Sequence, residues 1–438
     1  MAIFRPFRAV RPQAGLAARV AALPYDTMNS AEARLRTQDN PYSFLHIDKA
    51  EIDLPEGTGL YDDAVYETAA ANLQRMRAEG VFVQDARPQF YIYRQTWRGR
   101  AQTGLVGCAS IDDYRDNVIK KHELTHPDKE TDRIRHVTAC NANTGPIFLL
   151  FRDTQGTAAL LADWCASHPC ECSFEAAQAS VRASGAESVD APLQEIWPIT
   201  DPALTQTLQE AFAATPSLYI ADGHHRCASA CHVGMRRREA CPGYTGEEEF
   251  NFFLGVAFPE DQLTIWDYNR VVRDLNGLEA GAFLSRLEDL FECSPFPSGQ
   301  PYRPEAPHYF GMYLDGRWYR LRARRGSFDS DDPVTRLDVE ILQQNLLAPL
   351  LGIKDPRRDR RVEFIGGIRG LEELERRCGN PAEGDCRTAG ADMRVAFAMY
   401  PTTTGELMAI ADSGNIMPPK STWFEPKLLS GLFIHELE

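Results

Sequence analysis

Apolar residues in this chain fall in short bursts, and the spacing inside each burst predicts its elements. Phe90 to Thr96 and Thr103 to Ile111 read as paired strands, with Arg98-Gly99-Arg100 in the turn between them. Ile147 to Phe151 is unbroken apolar sequence and reads as a buried strand, and Glu248 to Pro259 is a second such run. Tyr61 to Glu79 carries Ala and Leu at helical spacing and stops at Gly80, while Thr131 to Asn141 predicts another helix. Asn29-Ser30 offers a cap for a short helix through Leu35, and Ser43 to Ile47 reads as a strand that delivers Asp48, Glu51 and Asp53 onto a loop. From Gly156 to about Ala214 helical patterns dominate, interrupted at Ser184-Gly185-Ala186 and at Pro192. Farther on, Tyr309–Leu314 and Arg317–Arg322 resemble a hairpin, Asp338 to Leu351 a helix and Val395 to Tyr400 a strand.

Strands and helices therefore mix without the steady alternation of a doubly wound sheet, which predicts a mixed α/β (α+β) fold. The 438 residues exceed the roughly 250–300 that one core usually serves. Three subdomains are expected: 1–150, α+β with an acidic loop; 151–294; and 295–438, entered through the Pro- and Gly-rich stretch from Pro295 to Pro307.

One stretch carries chemistry more densely than any other. At residues 219–226, Tyr-Ile-Ala-Asp-Gly-His-His-Arg, an apolar run stops on an acid, a glycine, two histidines and an arginine, and small residues follow. That order reads as strand, tight turn and helix start. Gly223 permits a positive φ, the first helical N–H groups lie free beyond it, and Arg226 adds a planar cationic fork. Such a turn suits a phosphate or carboxylate. The plainer reading is a strand-to-helix junction with surface histidines. Two further polar clusters stand out. Lys120-Lys121-His122-Glu123-Leu124-Thr125-His126, with Asp132 and Arg133 after it, predicts a substrate or nucleotide contact, against a reading as exposed ion pairs. Near the end, Pro418-Pro419 stiffens the backbone before Lys420, Ser421, Thr422 and Lys427, while Trp423 and Phe424 predict packing into the body. That segment either binds phosphate or anchors the tail.

Charge and cysteines narrow the classes. The formal net charge of −15 opposes a large nucleic-acid footprint and an anionic membrane surface. There is no apolar run long enough to cross a bilayer, and the first ten residues lack the apolar stretch of an export signal, so the cytoplasm is the expected location. Eleven cysteines then read as reduced thiols. Cys165, Cys170 and Cys172 near His168 lack the paired spacing of structural zinc, and His122 and His126 lack that of zinc hydrolases, so no metal site is assigned. Cys227 reads as a small core residue or as a thiolate favoured by the helix start. Neither a G-x-G-x-x-G turn nor a P-loop is present.

The chain resembles the widespread microbial family called domain of unknown function 1015. The matching pieces are Arg5-Pro-Phe-Arg, Pro24-Tyr-Asp, Phe44-Leu-His with Glu51-Ile-Asp-Leu-Pro, His122-Glu with Asp132-Arg133, Ala221-Asp-Gly-His-His-Arg, and Met417-Pro-Pro-Lys-Ser-Thr-Trp-Phe-Glu-Pro-Lys. The five residues Asp222 to Arg226 are also similar to the phosphate-binding turn of the ParB and sulfiredoxin superfamily, whose nucleotide-dependent free serine kinases carry the same five. That second resemblance implies a ParB/sulfiredoxin-like core. It also implies a phosphotransferase using ATP or ADP with Mg²⁺, and a hydroxy amino acid such as serine as acceptor. Only Asp222 to Arg226 carry over from that turn; from their chemistry, Gly223 and Arg226 would hold phosphate, joined by His122, Glu123, Arg133, Lys420, Ser421 and Lys427. His224 or His225 would stabilise charge or move a proton, and an acid among Glu51, Asp53 and Asp222 would orient the metal or accept the hydroxyl proton. Cys227 stands where sulfiredoxin-like proteins favour tyrosine, which argues against sulfinic-acid repair. A phosphoester hydrolase and a nucleotide-sensing regulatory protein without turnover are the alternatives, and the oligomeric state is left open.

Overall fold

A computed structural model describes residues 1–175, 191–297, 300–379 and 392–438. The chain is mixed α/β and divides into two compact units, one comprising Met1–Leu263 with Pro426–Glu438 and the other Thr264–Glu425. The expected boundaries at 150 and 294 fall inside strands Ile147–Phe151 and Phe291–Pro295. The Ser184-Gly185-Ala186 interruption lies outside the described residues.

The first unit is built on one mixed sheet of nine described strands: β1 Phe4–Arg5, β2 Phe90–Trp97, β3 Arg100–Ser110, β4 Ile119–Lys120, β5 Ile147–Phe151, β6 Cys172–Glu175, β7 Leu193–Ile199, β8 Leu218–Asp222 and β9 Phe252–Pro259. Their order is β4-β8-β5-β9-β3-β2-β7-β6, with β1 added to β3. β4 runs parallel to β8, and β5 parallel to β9. Every residue of β5 and β9 is buried, as expected for strands covered on both faces. The core around them joins Phe4, Phe90, Leu149, Phe212, Ile220 and Cys227, with Phe4 and Phe212 stacked at 4.7 Å. Three helices matter to the site: α1 Asp63–Ala78, α2 Pro127–Cys140 and α3 His224–Ala240.

Two sequence expectations need correction. Ser43–Ile47 is no strand, because Leu45–Asp48 forms a helical turn whose Leu45, Ile47 and Asp48 are all buried. A burst that short carries no period that separates helix from strand. The stretch from 156 to 214 also contains β6 and β7 between its helices Thr157–Ser167 and Pro202–Ala214. The final segment closes the first unit: Ser430 donates its N–H to Ala22 at 2.8 Å and Ile434 to Val10 at 2.9 Å, while His435–Glu436 pairs with Ala142–Asn143.

The second unit holds a six-stranded antiparallel sheet among its described residues, with a core of Val271, Tyr313, Trp318, Ile365 and Leu374. Asp338 is 9% exposed there. Its Oδ1 accepts the His308 N–H at 2.8 Å, and its Oδ2 has no partner among the described residues. Burial pushes this carboxyl well above its usual range. A carboxyl raised in the folded state favours the fold at low pH and loses that contribution as pH rises through the folded value. Asp338→Asn is therefore expected to stabilise the protein by about 1–2 kcal/mol near pH 8, with the gain vanishing near pH 4. Calorimetric melting against pH measures this, and equal melting shifts at both pH values would contradict it.

Candidate functional site

The site grows out of the end of β8. Four consecutive residues, Leu218 to Ala221, are buried, and the strand then ends on the half-buried Asp222. Gly223 takes φ 96° and ψ 28°, a left-handed conformation that turns the chain straight into the 17 residues of α3. No side chain caps that helix, so its first-turn amides remain available to an anion. Arg226, one turn along, folds back over the glycine. A Cβ at position 223 would stand 3.1 Å from its Nη2, and its Nη1 donates to the Pro146 carbonyl. Gly223→Ala is expected to cost roughly 1–2 kcal/mol for the left-handed residue, and to push the guanidinium off the turn. Thermal melting checks the first effect and phosphate-ligand affinity the second.

Asp222 anchors the other side. Its Oδ1 accepts the Gly223 N–H and its Oδ2 accepts from Lys427 Nζ, both at 2.8 Å. Burial opposes its charge, but the Lys427 ammonium and the Arg226 guanidinium outweigh that and hold the carboxyl well below the usual range. An acid, a lysine from the chain's last segment and an arginine thus converge on one helix start.

The parallel pairing of β4 with β8 sets Tyr219 beside Lys120, so the residues just past both strands leave the same edge of the sheet. His122 and Glu123 therefore come up beside His224. The rings of His122 and His224 meet edge to face with centroids 4.6 Å apart, and Glu123 Oε2 lies 3.8 Å from His224 Nδ1. Burial pushes His122 down to about 4 and His224 well below the ordinary range, so both imidazoles are neutral near pH 7. His225 accepts the His126 N–H on Nε2 at 2.9 Å. Burial lowers its pKa as well, so neutral His225 carries its proton on Nδ1, where it can donate.

Behind the turn a cavity of about 20 Å³ is lined by Tyr25, Asp48, Arg133, Thr144, Arg226 and Ser430, among others. Its size suits a water molecule, not a phosphate. Arg133 pairs with Asp132 at 2.8 Å and lies over the Tyr25 ring at 4.0 Å, and Asp48 accepts from Thr144 Oγ1 at 3.0 Å.

The other sequence-singled residues make local bonds. Glu51 accepts from Ser30 at 2.7 Å and pairs with Lys49 at 3.0 Å; Asp53 pairs with His46 at 2.8 Å and accepts from Asn72 at 2.8 Å. Lys420 and Ser421 belong to the second unit. Lys420 has φ 59° and holds its ammonium 5.7 Å from the Tyr268 ring centroid, and Ser421 donates to Pro418 at 2.6 Å. Asp48, Tyr25 and Thr144 were missed by sequence reasoning; Pro24-Tyr-Asp and the acid run from Asp48 held the only signal for the first two.

A family model described as a protein of unknown function, DUF1015, matches residues 4–340. The chain belongs to that family. The DUF1015 match takes in the turn, His122, Glu123 and Arg133, whereas Lys420–Lys427 lies beyond it. No curated protein matches. Solved structures that resemble this DUF1015 chain include a free serine kinase in complex with AMP (TM-score 0.32, 12% identity, covering 79% of this chain and 93% of that one). They also include SbnI with C-terminal truncation from Staphylococcus aureus (0.33, 12%, 74% and 85%). A conserved hypothetical protein from Pyrococcus furiosus is a third (0.32, 12%, 74% and 93%). Overlays this loose transfer no residue's role. The DUF1015 turn also decides the question of Cys227: the side chain is fully buried in the core and burial pushes its thiol well above the usual range, so a thiolate is not favoured there. Among the described helices none is long and apolar enough to cross a membrane.

Proposed function

We propose that this chain binds the phosphates of a nucleotide at the Asp222–Arg226 turn and transfers a phosphoryl group to the hydroxyl of a small acceptor, with serine foremost. The observation that carries this reading is the uncapped start of α3 behind a left-handed Gly223, with Arg226 folded over it. First-turn amides and a guanidinium fork supply fixed dipoles and charge where phosphate charge develops. The similarity of the five residues to the turn of free serine kinases points the same way.

In the transfer, the acceptor oxygen attacks the terminal phosphorus of ATP or ADP, the bridging P–O bond breaks, and the hydroxyl proton passes to a side chain. Arg226 would hold the transferring group, and His225 Nδ1–H would donate to one of its oxygens. Asp222, Glu51 and Asp53 are the acids considered for the proton. Asp222 stands at the turn, although its pairing with Lys427 makes it a weak base. A Mg²⁺ ion entering with the nucleotide would neutralise phosphate charge beside such a carboxylate. The Lys427–Asp222 pair also favours a second reading, in which the nucleotide is bound and sensed without turnover.

The deciding experiment incubates the full chain with Mg²⁺, ATP or ADP, and a panel of amino acids and their phosphates, with mass spectrometry of the products. A phosphorylated acceptor supports the transferase, and free phosphate alone supports a hydrolase. Tight nucleotide binding with no product supports the sensor, and no binding removes all three.

A further inference from the structure

We propose that His122, Glu123 and His224 form a binding site for one divalent transition-metal ion of the zinc or cobalt type. One nitrogen from each histidine and one Glu123 oxygen all lie within 4.8 Å of one another. Two imidazoles and a carboxylate are the donor set such ions prefer, whereas Mg²⁺ prefers oxygen alone. Ligand atoms bound tetrahedrally at about 2.1 Å stand roughly 3.4 Å apart, so the three must close by up to about 1.4 Å. Glu123, with 58% of its side chain exposed on a loop, can supply that movement.

The competing account is a pair of histidines packed edge to face for its own sake. Against it stand two nitrogens. His122 is 2% exposed and His224 5%, yet Nδ1 of His122 and Nε2 of His224 have no hydrogen-bond partner among the described residues. Buried polar atoms are almost always satisfied, and two orphans within one histidine pair are accounted for by an ion or a water between them. The surroundings agree with a cation. Asp222 acts on both imidazoles as an anion, opposed at His224 by His225 and Lys121. The fold supplies the arrangement too, because the two histidines follow adjacent parallel strands in register.

The site shares His224 with the turn proposed to hold phosphate but does not need phosphoryl transfer, so its test uses metal alone. The full chain, stripped with chelator, is titrated with Co²⁺ and then with competing Zn²⁺. One Co²⁺ per chain is expected, with visible d–d bands, no intense near-ultraviolet thiolate band, and displacement by Zn²⁺. Glu123→Gln, a change at an exposed side chain, is expected to weaken binding roughly tenfold or more. His122→Gln and His224→Gln, where circular dichroism shows them folded, are expected to abolish it. Sub-stoichiometric binding, a thiolate band that puts the ion on cysteines, or unchanged affinity in Glu123→Gln or in a folded histidine variant would each overturn the proposal.

Discussion

Arg226→Ala is expected to abolish binding of ATP, ADP and phosphorylated metabolites while the protein stays folded. The guanidinium is the cationic side chain that folds back over Gly223, and no other residue of the turn offers a planar fork of donors to phosphate oxygens. Removing a preorganised donor of this kind typically costs a factor of about 10²–10³ in turnover. The structural cost is smaller. Arg226 also donates to the Pro146 carbonyl, and losing that bond at a partly open position amounts to about 1 kcal/mol. Arg226→Lys separates charge from geometry, since it keeps the first and loses the second. It should recover part of the affinity and little of the rate. Calorimetric titration with each nucleotide, beside a thermal melt, reads both quantities, and an alanine variant that binds every ligand like the parent would remove the turn from the proposed function.

The second large effect lies in Lys427→Met. The substitution keeps an apolar stem and removes the ammonium that donates to Asp222 at 2.8 Å. Breaking a fully buried ion pair costs about 3–5 kcal/mol, because the surviving charge is left unpaired. Here 30% of the Asp222 side chain and 18% of the Lys427 side chain remain exposed, and Arg226 still faces the acid. Solvent screening then reduces the expected loss to about 2 kcal/mol. Asp222→Asn in the same chain should return most of that stability, since it removes the charge that Lys427 neutralised. Urea unfolding of the two single variants and the double variant gives the coupling directly. A coupling near zero would mean that the two side chains merely touch.

What could be read along the chain was whatever neighbours in sequence determine. The change from apolar run to Asp-Gly-His-His-Arg announced a strand, a turn and a helix, and β8 does end at Asp222 with α3 starting at His224. The α/β mixture was legible for the same reason, because each burst carries its own period. Ser43–Ile47 was not, since five residues cannot display one. What brings His122 to His224 is the parallel register of β4 on β8, and pairing between strands about a hundred residues apart leaves no local trace. Lys427 meets Asp222 across 205 positions, and the sequence marked both without linking them. Asp48 was passed over in favour of Glu51 and Asp53, because only packing reveals which of three nearby acids turns inward beside Arg133 and Arg226.

The return of Pro426–Glu438 to the first unit bears on synthesis. A ribosome delivers the Asp222 turn before the second unit, then makes the whole of that unit, and only then releases the residues that close the first. Until that moment Asp222 lacks its lysine, and the Ala22 and Val10 backbones lack their hydrogen bonds from Ser430 and Ile434. The nascent chain therefore holds an unfinished first unit while Thr264–Glu425 is made, and a product released short of Lys427 exposes those unpaired positions to chaperones and proteases. The site is thus completed only by residues made after the second unit.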